Sequence, residues 1–188
     1  SSAGESLLAA GVAGLLAGAL SMAVGEYVSV STQRDTERAL LAKEKYELAN
    51  EPEKELEELT GLYEAKGLSR ETAERVANEL TAHDAFGAHT DIELGINPNK
   101  LTSPVAAAVS SAAAFTVGAL IPIVAITLPP AELRIPVTFI AVFFALILTG
   151  TLSAYAGGAS KRVAALRVVI GGVLAMAITF GIGKLFGN

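Results

Sequence analysis

The sequence predicts an all-α, polytopic helical membrane protein in which four hydrophobic spans carry an acidic three-helix insert between the first span and the second. Three observations predict it. Hydrophobic residues fill 52% of the 188 positions, only 18% are charged, and mean hydropathy is +0.50; soluble domains carry about a quarter charged residues. The charge is also segregated. Of the 19 acidic and 14 basic residues, 16 and 8 lie between Arg34 and Glu93, so that stretch carries −8 and the remainder +3 within a net −5. Finally, the weakly charged remainder falls into runs long enough for a helix of about 20 residues to cross roughly 30 Å of hydrocarbon.

The runs are Ser6 to Gly25, Thr102 to Ala131, Ile135 to Ser160, and Val163 to Gly183, the last interrupted only by Arg167. Helices are expected because lipid offers the backbone no hydrogen-bond partners. A soluble alternative would need several core helices apolar on every side. No cleavable leader is expected, since the start lacks a basic segment and its apolar run is too long. With no Cys and no Trp, disulfides and thiolate metal sites are excluded, and interfacial aromatics rest on Tyr and Phe.

The organisation that follows is residues 1–32 as a span continuing into the insert, 33–97 as the acidic insert, and 98–188 as three further spans. Within the insert the first helix runs from about Gln33 to Asn50. Pro52 suits the first turn of a second helix that Asn50 or Glu51 would cap, and Gly67 ends it. Ser69 caps a third helix running towards His89. Gly95, Asn97 and Pro98 form the linker, while Pro129 and Pro130 mark a short turn before Arg134. Lys161, Arg162 and Arg167 at the junction of the last two runs put that junction in the cytoplasm by positive-inside bias. Counting back, the insert is cytoplasmic, and the amino end and Asn188 lie outside.

Three constellations carry chemistry. Glu44, Glu47, Glu51, Glu55 and Glu58 follow spacings of three and four, which keeps one helical face acidic. Such a face either is simply solvated, helped by Lys43, Lys45 and Lys54, or holds a cation that several oxygens share. His83, Asp84, His89, Asp91 and Glu93 gather at the end of the third helix, where His89 and Glu93, four apart, could face one ion or merely form a polar helix end. Met22 and Glu26, also four apart, pair a thioether with an ionisable group near membrane depth. They read as a functional pair or as packing beside an interfacial carboxylate. Gly11, Gly14, Gly18 and Gly25 make a small-residue face suited to close helix contact, and Gly118 with Pro122 suggests a kink that lines a cavity.

The run Ser21-Met22-Ala23-Val24-Gly25-Glu26-Tyr27-Val28-Ser29-Val30-Ser31, followed by Gln33-Arg34-Asp35-Thr36-Glu37, closely resembles the signature of the vacuolar iron transporter family. Ala119-Leu120-Ile121-Pro122 resembles that family's kinked span, and the resemblance covers essentially the whole chain. It implies five spans, of which the first, with an acidic path residue, would precede Ser1, together with a homodimer and a cytoplasmic metal-binding domain. It also implies movement of Fe²⁺, and often Mn²⁺, out of the cytosol in exchange for protons. Carried over by position, the family's metal ligands fall on Glu44 and Glu47, on Glu55 and Glu58, and on His89 and Glu93, with His89 standing where the family has Met. Met22 falls on the translocation path, and Glu26 accompanies it.

The expected activity is therefore transport, not catalysis. A di-iron enzyme would need Glu-x-x-His motifs, and none occurs. Fe²⁺ and Mn²⁺, with Zn²⁺ and Co²⁺ as further candidates, are cargo; no resident cofactor and no nucleic-acid partner is expected. A thioether beside carboxylates suits borderline ions over Ca²⁺ and Mg²⁺. The alternative is a membrane-anchored module that senses or stores metal without moving it. The expected membrane is a prokaryotic plasma membrane, or a vacuolar one in a eukaryote. The dimer is expected to use the Gly11, Gly14 and Gly18 face.

Overall fold

A computed structural model describes residues 2–186; Ser1 and Asn188, whose side of the membrane was assigned above, lie outside the described residues. Six helices appear in order: α1 (Ser2–Asn50), α2 (Pro52–Ala65), α3 (Arg70–His89), α4 (Pro104–Thr127), α5 (Arg134–Ala156) and α6 (Lys161–Phe186). A π-turn, Thr90–Leu94, follows α3, and a 3₁₀ turn, Ala131–Leu133, precedes α5. No strand forms among the described residues. Four of the helices, α1, α4, α5 and α6, are long and apolar enough to cross a membrane, α5 counted with its 3₁₀ turn. The protein is an integral membrane protein.

Local chemistry sets where the helices stop. The second apolar run is longer than α4 because Ser103 and Pro104 start the helix, with the Ser103 hydroxyl accepting from Ala106 N at 3.3 Å, and Pro129 and Pro130 stop it. The third run overshoots α5 because Gly158 takes a left-handed φ of +66° and turns the chain towards α6. By contacts the chain divides into two compact units, residues 1–22 with 112–188, and residues 23–111.

In the first unit α5 and α6 form the main helix pair. They approach closely at Gly150, where a β-carbon would meet the Ala165 Cα at 2.7 Å and its amide nitrogen at 3.1 Å. Ala154, one turn on, is buried too, so this small pair admits a neighbouring backbone. Gly150→Ala must move backbone, not a side-chain tip. A loss of roughly 1–3 kcal/mol is expected, read as a lower thermal midpoint in detergent; an unchanged midpoint would show that the pair yields freely.

The glycine face of α1 departs from expectation in one respect. Gly11 lies against Ile123 and Gly18 against the ring of Phe115, both on α4, while a β-carbon on Gly14 would meet nothing within 4 Å. Two of the three glycines assigned to a dimer contact thus pack inside the chain. Small-residue spacing reports that a helix can approach closely but not whose helix it is. Gly118 and Pro122 line a cavity of about 180 Å³ with Val142, Leu146 and Thr149 of α5.

In the second unit α2 packs on α3 around Leu59 and Thr60 of α2 and Ala73 and Ala77 of α3, all buried. Ser69 caps α3, its hydroxyl accepting from Thr72 N. The Arg70 guanidinium ties the two helices, pairing with Glu57 and Glu74 at 2.6 Å and with Glu64 at 3.2 Å. Neither residue expected to cap α2 makes a side-chain cap. The Asn50 amide donates to Tyr46 O at 2.6 Å, and the Glu51 carboxylate takes the Lys54 ammonium at 2.8 Å. Pro52, with no amide proton to satisfy, leaves less for a cap to do.

Candidate metal centre

Three segments of the second unit supply the centre. The charged half of α1 carries Glu44 and Glu47, α2 carries Glu55 and Glu58, and the end of α3 with its π-turn carries His89 and Glu93. The third segment reaches the centre through a local break. Asp84 leaves helical geometry, with φ −158° and ψ 86°, and its Oδ1 accepts from Gly87 N at 2.9 Å. The carboxylate therefore caps a restarted last turn of α3 in the manner of a helix N-cap. A side chain at Gly87 would collide with that carboxylate. The π-turn then closes on Thr90 O, which accepts from the amides of Gly95 and Ile96, with Gly95 left-handed at φ +62°.

These turns bring His89 to the two carboxylate helices. Its Nδ1 lies 3.0 Å from Glu44 Oε1, 3.7 Å from Glu55 Oε2 and 3.8 Å from Glu93 Oε2. Ligand atoms of Glu44, Glu55 and His89 all fall within 4.8 Å of one another. The three residues are only 3%, 2% and 0% exposed, and the Glu93 side chain is 27% exposed. The 3.0 Å approach is not a hydrogen bond. Glu44 Oε1 and both nitrogens of His89 are buried with no hydrogen-bond partner, so the close pair is misaligned for proton sharing.

Burying such groups unpaired is expensive, and a cation among them removes the expense. Two ligand atoms held about 2.1 Å from one ion at right angles are about 3.0 Å apart, the spacing of a first coordination shell. The electrostatics agree with that reading. Burial, then the charges of Glu93, Glu55 and Glu47 and a hydrogen bond with Glu93, push the Glu44 carboxyl up to about 7. Glu55 is raised as well, by burial first and the charge of Glu58 second, with His89 opposing.

The other candidates sit differently. Glu47 is at the rim, bound to Lys43 at 2.8 Å, and its charge acts on both Glu44 and Glu55. Glu58 is exposed and acts on Glu55 through charge. His83 is exposed, Asp84 serves as the cap, and Asp91 lines a separate polar cavity of about 320 Å³ with Asn97 and Asn99; none of the three joins the centre. Met22 is 46% exposed and Glu26 is exposed, on the open face of α1. Glu26 and Glu44 are 18 residues apart on that helix, about 27 Å along its axis. The break at Asp84 and the π-turn were not anticipated, although Asp84-x-x-Gly87 has the spacing of a capping interaction.

Residues 1–184 match the VIT family. Among named relatives, a protein of Acanthamoeba castellanii (strain ATCC 30010 / Neff) called vacuolar iron transporter is 46% identical over 185 residues, covering 98% of this chain and 70% of the relative. Vacuolar iron transporter homolog 4 of Arabidopsis thaliana is 37% identical over 97% of this chain and 69% of its own length. Homolog 2.1 of the same plant is 34% identical over 98% and 68%. On a match that runs nearly the full length, and on these identities, the chain belongs to the vacuolar iron transporter (VIT) family.

Proposed function

We propose that this chain moves Fe²⁺, and Mn²⁺ with it, out of the cytosol by exchange for protons. The observation that carries the reading is the buried, hydrogen-bond-poor meeting of Glu44, Glu55 and His89 with Glu93 beside them. Its donors are carboxylate oxygens and one imidazole, a set that suits borderline divalent ions and accepts Zn²⁺ and Co²⁺ as well. The names of the relatives support iron as cargo. Residues 33–97 form the metal-collecting domain, and the basic turn at Lys161 and Arg162 favours a cytoplasmic position for it.

Met22 and Glu26 belong to the path itself. Four apart on one side of α1, both are exposed, and a second copy of the chain seated on that side would enclose the pair.

The test is flux in proteoliposomes made with the full-length protein, any residues ahead of Ser1 included. Met22→Leu keeps volume and apolarity, so it should cost less than about 1.5 kcal/mol of stability and leave Mn²⁺ binding at Glu44 and His89 intact. Mn²⁺ flux should fall at least tenfold, in the range by which metal-site contacts alter activity. Glu26→Gln should uncouple metal flux from proton movement. Binding without flux in the wild-type protein would instead make it a sensing or storing module, and wild-type flux in both variants would remove these residues from the path.

A further inference from the structure

The carboxylate cluster carries its own competing cation. Lys43 sits one turn before Glu47 on α1, and its Nζ lies 2.8 Å from Glu47 Oε2. The same ammonium feels the charges of Glu93 and Glu44 more weakly, two of the groups that meet at His89. Lys54 does the equivalent on α2, holding Glu51 at 2.8 Å while its charge reaches Glu55 and Glu47. The acidic ladder is therefore not uniform. Glu44 and Glu55 turn inward without a lysine partner, while Glu47 and Glu51 are each held by one at the rim.

We propose that Lys43 is a built-in counter-cation that holds Glu47 off the metal centre and must give it up when a divalent ion enters. This rests on the metal-binding reading of Glu44, Glu55, His89 and Glu93. The physical logic is competition for one carboxylate. An ammonium is a compact single charge on a flexible stem, and here its side chain is 66% exposed, so it can swing into water at little cost. A divalent ion bound by several oxygens and a nitrogen displaces it readily. A monovalent ion, offering no more charge than the lysine already provides, gains nothing by doing so. Lys43 thus sets a threshold against the monovalent cations of the cytoplasm and lowers the affinity for the divalent cargo by a modest factor. Glu47 becomes the ligand that changes partner as the ion arrives.

The experiment is titration of the full chain in detergent with Mn²⁺ at pH 8 and low salt, following the free-ion electron paramagnetic resonance signal. Lys43→Gln should tighten Mn²⁺ binding by about two- to fivefold, the range an exposed ion pair spans, and should make binding more sensitive to added K⁺. Lys43→Arg, which keeps the charge and the pairing, should restore the wild-type affinity. Lys45→Gln removes the same charge from another face of α1 and should change nothing. In a Glu47→Gln background most of the gain from Lys43→Gln should vanish, because the Glu47 contact is the strongest that Lys43 makes. Unchanged or weaker binding in Lys43→Gln would overturn the proposal; so would an equal gain in Lys45→Gln, or a gain that persists undiminished without Glu47. If the wild-type chain bound no Mn²⁺, or if Glu44→Gln bound it normally, the metal-binding reading would fail and the proposal with it.

Discussion

Glu44→Gln and His89→Leu are each expected to weaken Mn²⁺ binding by the full chain by about 100-fold or more, at the upper end of what loss of metal-site partners costs. Both residues are buried, so water cannot easily replace the lost donor. Both changes are close to isosteric, and both remove a group with an unsatisfied atom. The ion-free protein should therefore be at least as stable as the wild type at pH 8, because Glu44→Gln deletes a carboxylate that burial and its acidic neighbours disfavour. That combination, binding lost while ion-free stability holds, separates a ligand from a residue that only supports the fold. Glu58→Gln is the contrast. Glu58 is exposed and reaches the centre only through charge, so its loss should cost less than about fivefold, in line with an exposed electrostatic contact. Equal losses in all three variants would point to a diffuse acidic surface and not a centre. Full affinity in Glu44→Gln would exclude the site outright.

The spans were legible in the sequence because the physics behind them is coarse: twenty apolar residues have few other places to go. Ser69 was legible as a cap for the same kind of reason, since a serine ahead of an amphipathic run satisfies amides that otherwise have no partner. The candidate centre was legible only in outline. Spacings of three and four say that Glu44, Glu47, Glu51, Glu55 and Glu58 can share a face, but Pro52 divides the set between two helices. Only packing decides that Glu44 and Glu55 turn inward while Glu51 pairs with Lys54 at 2.8 Å. His89 was ambiguous because its surroundings depend on a helix break at Asp84 and a π-turn after Thr90. Both are tertiary adjustments that no local propensity specifies. Gly11 and Gly18 show the same limit, since their spacing announces a contact without naming the helix that makes it.

Mn²⁺ affinity is expected to fall as pH drops through about 7, by roughly 25-fold between pH 7.5 and pH 5.5 for one competing proton, because a carboxylate must be deprotonated to bind metal. Glu44 carries this effect. Burial, and then the charges of Glu93, Glu55 and Glu47, raise its carboxyl to about 7, so a proton holds the seat under mildly acidic conditions where an ordinary carboxylate would be free. Stability of the ion-free protein should move the other way. A carboxyl whose folded value is raised above its unfolded one contributes stability that is fully present below the ordinary carboxylate range and is lost as pH rises through the folded value. With Glu44 and Glu55 both raised, the ion-free insert should unfold at lower temperature at pH 8 than at pH 5. Saturating Mn²⁺ should reverse that order, since an ion at about 100 times its dissociation constant adds about 2.7 kcal/mol, and it binds well only at the higher pH. Thermal midpoints at the two pH values, each with and without Mn²⁺, check all four cases. Flat binding from pH 7.5 to 5.5 would mean that Glu44 does not exchange its proton for the ion. The opposed slopes, if found, make proton and metal alternative occupants of one seat, which is the thermodynamic requirement for collecting the ion on the neutral side of a membrane and exchanging it for protons.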